Sequence, residues 1–452
     1  MIFDKVNYRL FILFAIVARI VLSDYSWFIY FSLMVCFYQF YLLFLSINDY
    51  IPIRFLFGSL MCLQLLLGPS FAYMGLDQYQ DGLFKMQVPE EQYYYLVLPG
   101  VLLFIAGLNF KAYDLPGEIP DLNKIRHFIK RDSSLPYYLI GVGFVSSFIS
   151  KYFGSEFAFL FVLFGGLKFI GLYLLVLGGW GIKPFTVAVV YGSIIISSLL
   201  TGMFHDLIIW LIFLAIIYAL KYRPPILLKM AILILLAGFV VVIQQLKGDY
   251  REATWRRGEE ANVETVARTV ELSQQTRQPF SPESFAKSNI RINQGYIITN
   301  IMKTVPQSVP HEYGQELFGI LEAAFLPRIL APNKLNAGDR DIFMKYTGIQ
   351  VSSGTSLALS SMGDAYINFS FVGSWIFMFF YGILYNYFLK FYSRKYGLFP
   401  VLILFLPLIF YYPIRPDCEL QTILGHLVKS AIVVFIIFSV WRSRFIFRTV
   451  HS

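Results

Sequence analysis

Apolar residues recur in runs of about 16 to 22 along nearly the whole chain, each closed by Lys, Arg, Pro or a polar loop, and a helix of that length crosses a hydrocarbon layer. The pattern predicts spans at roughly 9–22, 27–47, 55–73, 93–110, 135–150, 157–178, 185–201, 205–220, 225–245, 366–390, 397–412 and 421–440, about 12 transmembrane helices. The first, "LFILFAIVARIVL", is the shortest and holds Arg19, so a re-entrant or interfacial helix suits it too. No small-residue cleavage site follows in "VLSDYSW", so a cleaved signal peptide is not expected.

Between the ninth and tenth runs lies the one long polar stretch, residues 248–365. Connections of that length are either functional or disordered, and this one carries helical patterns. "SPESFAKSNIRINQGYIITNIMKTVP" opens with a Ser281 cap and Pro282 at the first helical position, then spaces Phe285, Ile292, Tyr296 and Ile297 as one stripe. "NVETVARTVELSQQTR" reads as a polar-faced helix before it. "GQELFGILEAAFL" is apolar enough to lie on or dip into a membrane surface before Pro327 ends it. The expected domains are a membrane bundle over 1–247, a mostly helical extracytoplasmic loop over 248–365, and a second bundle part over 366–452.

Composition agrees with the pattern. Of 452 residues 57% are hydrophobic and 14% charged, with 46 Phe and 31 Tyr, which excludes a single water-soluble core. The fold class is therefore an all-α polytopic integral membrane protein with one large extracytoplasmic helical loop. Lys111, Lys124, Arg126, Lys130 and Arg131 fall in one loop, Lys221, Arg223 and Lys229 in another, Arg394 and Lys395 before the eleventh span, and Arg442, Arg444 and Arg448 at the end. Twelve spans put all of these on one face, the cytoplasmic one by the positive-inside rule, with both termini inside and 248–365 outside. The net charge of +9 is then a topological signal, and no nucleic-acid partner is needed to explain it. Cys36, Cys62 and Cys418 show neither metal spacing nor a disulfide framework. The two halves of the chain do not repeat each other, which argues against a transporter built on inverted repeats.

The candidate chemistry starts at "FLPRILAPNKLNAGDRD". The loop holds 12 Lys and Arg against 13 Asp and Glu, so it is no basic arm; its cations are placed singly. Pro327 ends a helix directly before Arg328, and Pro332 keeps the residues before Lys334 extended, so two cations project from a rigid corner. Such cations suit phosphate, Arg as a bidentate fork and Lys as a point charge. Alternatively they anchor the loop to anionic headgroups.

The stretch "EYGQELFGILEAAFLPRILAPNK" resembles the outer-loop signature of bacterial oligosaccharide repeat-unit polymerases of the Wzy type, in which a Tyr-Gly pair leads through an apolar helix to Pro-Arg, then Pro and Lys. "GTSLALSSMGDAYINFSFVGS" is similar to the segment with which that family re-enters the membrane. Together they cover residues 312–374; the rest of the chain is similar in architecture alone. The family often has Gly-x-Arg where this chain reads "LLTGMFHDLIIW", so an Arg expected near 204 is replaced by His205 and Asp206. The resemblance implies a metal-independent, cofactor-free, inverting glycosyltransferase of the bacterial inner membrane. It would act on undecaprenyl-pyrophosphate-linked glycans on the outer face, among membrane lipids, with a flippase and a chain-length regulator as protein partners. A ligase that moves the finished glycan to lipid A or protein, or a lipid-linked oligosaccharide flippase, are the alternatives.

A departing pyrophosphate is stabilised by fixed cations: Arg328 first, Lys334 second, Arg291 and Arg340 as further candidates. The acceptor hydroxyl needs a proton acceptor. Asp364 leads, with a helix N-cap for the tenth span as its other reading; His311 beside Glu312, and His205 with Asp206, follow. "DRD" at 339–341 resembles a metal-binding Asp pair, on the wrong side for nucleotide sugars. Lys168 lies near the middle of "FAFLFVLFGGLKFIGLYLLVL", too deep to snorkel out, and could meet the lipid pyrophosphate or balance a carboxylate. Arg251, Arg256 and Arg257 suit depth anchors. Arg415 and Asp417 in "YYPIRPDCEL" either close the site from the far side or pair with each other.

Overall fold

The computed structural model describes residues 2–112, 115, 117–153, 155–178, 184–201, 205–235, 238, 264–265, 268–269, 271, 281–326, 335, 338–351 and 357–447. Arg328, Lys334, Arg251, Arg256, Arg257 and Arg448 lie outside the described residues, as does most of "NVETVARTVELSQQTR".

Every regular element among the described residues is helical. In chain order the helices are α1 (Tyr8–Val21), α2 (Trp27–Ser46), α3 (Ile53–Tyr73), α4 (Glu90–Leu108), α5 (Leu122–Arg131), α6 (Leu135–Ile149), α7 (Phe159–Leu177), α8 (Pro184–Thr201), α9 (His205–Tyr222) and α10 (Ile226–Leu235). They continue with α11 (Pro282–Ile292), α12 (Gly295–Thr304), α13 (Gln315–Phe325), α14 (Arg340–Thr347), α15 (Ser360–Ser393), α16 (Pro400–Ile409) and α17 (Leu420–Val440). Seven of them, α2, α3, α4, α7, α9, α15 and α17, are long and apolar enough to cross a membrane, and α6, α8, α10 and α16 are shorter apolar helices. The protein is a helical membrane protein. Helix α1 buries none of its residues and holds Arg19 over the Trp27 ring at 4.1 Å.

Between apolar helices in lipid the hydrophobic effect gives little attraction, so close backbone approach must supply it. Glycines do this at two seams. A methyl added at Gly107 of α4 would strike the Phe379 carbonyl oxygen of α15, and one at Gly382 would strike that of Phe104. In the same way Gly143 of α6 meets the backbone of Lys168, and Gly171 of α7 meets the Pro136 carbonyl oxygen.

One end of α3 carries a fully buried ion pair between Arg54 and Glu118. The Arg54 amide gives Glu118 a second bond at 2.6 Å, Nε donates to the Leu108 carbonyl at 3.1 Å, and Nη2 donates to Asn386 Oδ1 at 3.1 Å. The start of α3, the end of α4 and the middle of α15 are thereby clasped together. Other cations gather at this end: Lys5 and Arg223 share Asp49, and Lys390 donates to the Phe110 and Lys111 carbonyls.

The other end of α3 is covered by α11 and α12, which with α13 and α14 form a covering layer. A π-turn over Leu63–Leu67 widens the helix and frees the Gln64 carbonyl, which takes the Gln294 amide at 3.0 Å. Asn289 Nδ2 donates to the Gly68 carbonyl at 2.9 Å, and the Gln87 amide donates to Thr299 Oγ1 at 3.1 Å. Ser281 caps α11 as expected, its hydroxyl accepting from the Ser284 amide at 3.2 Å. The single stripe does not hold: the helix breaks at Asn293 and Gln294, whose backbone and side chain serve α3 and Gly295 instead, so α11 and α12 are separate and Phe285 is exposed. At Ser370 (φ 57°, ψ −155°) α15 is interrupted, leaving a short piece in the covering layer and a longer one, roughly 34 Å at 1.5 Å per residue, in the bundle.

Removing one partner of a buried ion pair leaves an uncompensated charge, a loss of about 3–5 kcal/mol. Arg54→Ala should therefore lower the thermal midpoint of the detergent-purified protein sharply, and Arg54→Met combined with Glu118→Gln should recover most of it. An unchanged midpoint in the single variant would show that the clasp does not hold the bundle.

Candidate functional site

The site is assembled where the covering layer meets the start of α17. Helix α13 is launched by a left-handed pair, Tyr313 (φ 48°) and Gly314 (φ 94°), and its first turn is pinned to α15 by the Leu317 amide on Asn368 Oδ1 at 3.2 Å. Its far end, Ala324, lies against Gly425 of α17. After the residues outside the description the chain is seen again at Leu335, whose carbonyl accepts from Gln421 Nε2 at 2.8 Å, and the Gly338 amide donates to Glu419 Oε1 at 2.7 Å. Both flanks of the Pro327–Lys334 stretch thus rest on the first turns of α17.

Four carboxylates, Glu316, Asp339, Asp364 and Glu419, line a narrow cavity here with Leu335, Ile342, Leu357 and Gln421. Its volume of about 20 Å³ is room for about one water molecule. Asp364 is buried, and Oδ2 accepts the Leu420 amide at 3.1 Å. Its capping reading needs correction: Asp364 sits in the first turns of α15 but caps α17, supplying one of the acceptors that a helix start lacks. Glu419 accepts from Gly338 and from Thr422 Oγ1, the latter at 2.7 Å. Burial pushes the Glu419 carboxyl above its ordinary range, and Asp339 nearby adds to this, while the hydrogen bonds from Thr422 and Gly338 pull the other way. Asp339 caps α14, with Oδ1 accepting from the Asp341 and Ile342 amides at 2.9 and 3.3 Å. The "DRD" stretch is therefore a helix start, and Arg340 turns out to an exposed pair with Asp341 at 3.7 Å.

A few residues before Glu419 lies the cationic part. Arg415 reaches Asp417 through Nε and Nη2 at 3.4 and 3.3 Å, with its guanidinium over the Tyr412 ring at 5.2 Å. The pairing reading is what the geometry shows, while Nη1 is buried and has no hydrogen-bond partner among the described residues. Burial alone would raise the Asp417 carboxyl, but Arg415, and His205 beyond it, hold it below the usual value. His205 Nε2 is 2.5 Å from Asp206 Oδ1. The start of α9 and the 411–417 loop come together, with Trp210 stacked on Tyr411 at 5.6 Å and Asp206 in the field of Arg415.

The remaining candidates are placed elsewhere. His311 Nδ1 faces the carbonyls of Tyr366 and Ile367 at 3.0 and 3.3 Å, so that nitrogen carries a proton and clamps the loop to α15; it does not line the cavity. Glu312 is occupied by Lys345 at 2.8 Å and the Tyr346 hydroxyl at 2.7 Å, which draw its carboxyl below the ordinary range. Among the described residues Lys168 meets neither a carboxylate nor the cavity: Nζ lies 3.4 Å from Ser147 Oγ, near the Phe144 and Phe169 rings. Arg291 is exposed at the end of α11, which docks on α3 rather than on the cavity. Sequence reasoning missed Glu316 and Glu419. The signal available for Glu419 was an acid standing immediately before the last apolar run, where a helix start favours negative charge.

A helical membrane protein with a buried carboxylate cavity and an adjacent, partly unpartnered arginine at one end is the class these features define. The chain belongs to the family described as "Domain of unknown function (DUF8712)", which matches residues 181–449. No curated protein and no solved structure matches it.

Because the Glu419 carboxyl is raised in the fold, folding stabilises its protonated form relative to the unfolded chain. Its contribution is fully present below its ordinary value of 4.5 and is lost as pH rises through the folded value. Glu419→Gln keeps an oxygen for Gly338 and Thr422 and should raise the thermal midpoint by roughly 1–2 °C at pH 7–8, with the gain vanishing near pH 4. A gain that grows on acidification would refute this account of the cavity.

Proposed function

We propose that the protein polymerises undecaprenyl-pyrophosphate-linked oligosaccharide repeat units into a surface polysaccharide, by glycosyl transfer at the outer face of a bacterial cytoplasmic membrane. In this reading the 12 apolar segments all span, both termini and the Arg54 end are cytoplasmic, and 248–365 forms the extracytoplasmic layer.

The observation that carries the proposal is the meeting of two separate stretches. Those that resemble the polymerase family, 312–334 and 354–374, supply Glu316 and Asp364 to one cavity, whose wall continues into Glu419. Arg415, with one guanidinium arm unpartnered among the described residues, lies shortly before Glu419 on the same loop. The chemistry then needs two poles. The acceptor hydroxyl attacks the anomeric carbon from the face opposite the leaving group, its proton passes to a carboxylate, Asp364 or Glu419, and the bond to undecaprenyl pyrophosphate breaks. Arg328, Lys334 and Arg415 stabilise the charge gathering on the diphosphate. Since the cavity has room for about one water, a sugar enters only when α13 and the 335–347 stretch draw back from α17.

The test supplies purified lipid-linked repeat units to the reconstituted protein. A ladder of longer products is expected, suppressed at least tenfold by Arg328→Ala and by Arg415→Ala at equal protein level. A ladder that survives both, and survives Lys334→Ala, refutes the site. Transfer of one finished glycan to lipid A or protein identifies a ligase instead, and translocation without bond formation a transporter.

A further inference from the structure

At the Arg54 end, α9 finishes beside the start of α5, and the two enclose an open cleft of about 440 Å³ lined by Pro120, Asp121, Asn123, Arg126, Lys221 and Arg223. This is the opposite end of α9 from His205, so the cleft is separate from the carboxylate cavity. Its volume falls within the roughly 300–1,000 Å³ of small-molecule sites.

The charges facing it are unequally committed. Burial alone would raise the Asp121 carboxyl, but the Lys124 amide at 3.0 Å and the Lys124 ammonium at 3.1 Å together hold it below the ordinary range. Arg223 pairs with Asp49 at 3.0 Å. Arg126 is exposed and has no ion pair among the described residues. Lys221 is the decisive group: it lines the cleft, and its Nζ, buried beside the Tyr222 ring at 5.1 Å, has no hydrogen-bond partner among the described residues. The positive-inside rule accounts for cations at this end of the molecule, but not for an ammonium turned inward and left unpaired, which costs free energy unless an anion compensates it.

We propose that this cleft binds a phosphate group, held by the Lys221 ammonium as a point charge and by the Arg126 guanidinium as a fork. A phosphate of this kind comes either from the headgroup of an anionic phospholipid, for which basic pockets between helices at a membrane surface are suited, or from a soluble phosphate. The site is independent of the glycosyl-transfer reading.

The experiment uses the full chain in a neutral detergent. Bound lipid is counted by native mass spectrometry after addition of cardiolipin, phosphatidylglycerol or phosphatidylcholine, and the thermal midpoint is followed against inorganic phosphate and pyrophosphate. Arg126→Gln with Lys221→Gln should reduce retained anionic lipid at least fivefold, whereas Lys130→Gln with Lys395→Gln, the same charge change at exposed positions outside the cleft, should not. If soluble phosphate instead raises the midpoint of the wild type and the first double variant abolishes that rise, the phosphate is a soluble one. Equal lipid retention and equal phosphate response in wild type and the first variant overturn the proposal, as does an equal loss in both variants. Arg126→Gln alone, at an exposed position, serves should the Lys221 substitution prevent folding.

Discussion

Close backbone approach of α4 to α15 is the contact on which the rest depends. Gly107 and Gly382 let the two helices touch without side chains between them, and Arg54 then reaches across the seam to Glu118, Leu108 and Asn386. Dispersion and a satisfied polar clasp take the place of the hydrophobic effect, which is weak between helices in lipid. Because α15 is held this firmly, its short piece before Ser370 presents Asp364, Tyr366, Ile367 and Asn368 in fixed positions to the covering layer.

The covering layer in turn is pinned to the bundle by specific hydrogen bonds. The π-turn in α3 offers Gln64, the kinked start of α15 offers two carbonyls to His311, and α17 offers Glu419 and Gln421. These bonds add to apolar packing, since Ile297, Ile298 and Ile301 of α12 and Ile320 and Ala324 of α13 belong to the same buried core as the bundle helices.

Legibility differed by element. Apolar run length located the helices because the bilayer sets one length scale for all of them. The cap at Ser281 and the end of α13 before Pro327 were equally readable, since capping and proline act locally. The division of α11 from α12 was not: the residues that break the helix do so for a carbonyl in α3, more than 200 positions away in the chain. "DRD" misled because an Asp pair looks alike whether it binds metal or caps a helix, and only the two amides facing Asp339 decide.

The sequence by itself determined the solvent of this protein, its helical class, and the crowding of cations at particular loops, because hydropathy, proline and charge act within a few residues. Tertiary structure alone decided which polar groups share a site. Asp364 serves a helix that begins 56 positions later, Glu419 joins Glu316 across the layer, and Arg415 finds His205 and Asp206 at a turn half the chain away. Those pairings follow from which helix backs lie close enough to pack, a property of small residues on two distant segments at once that no local pattern records.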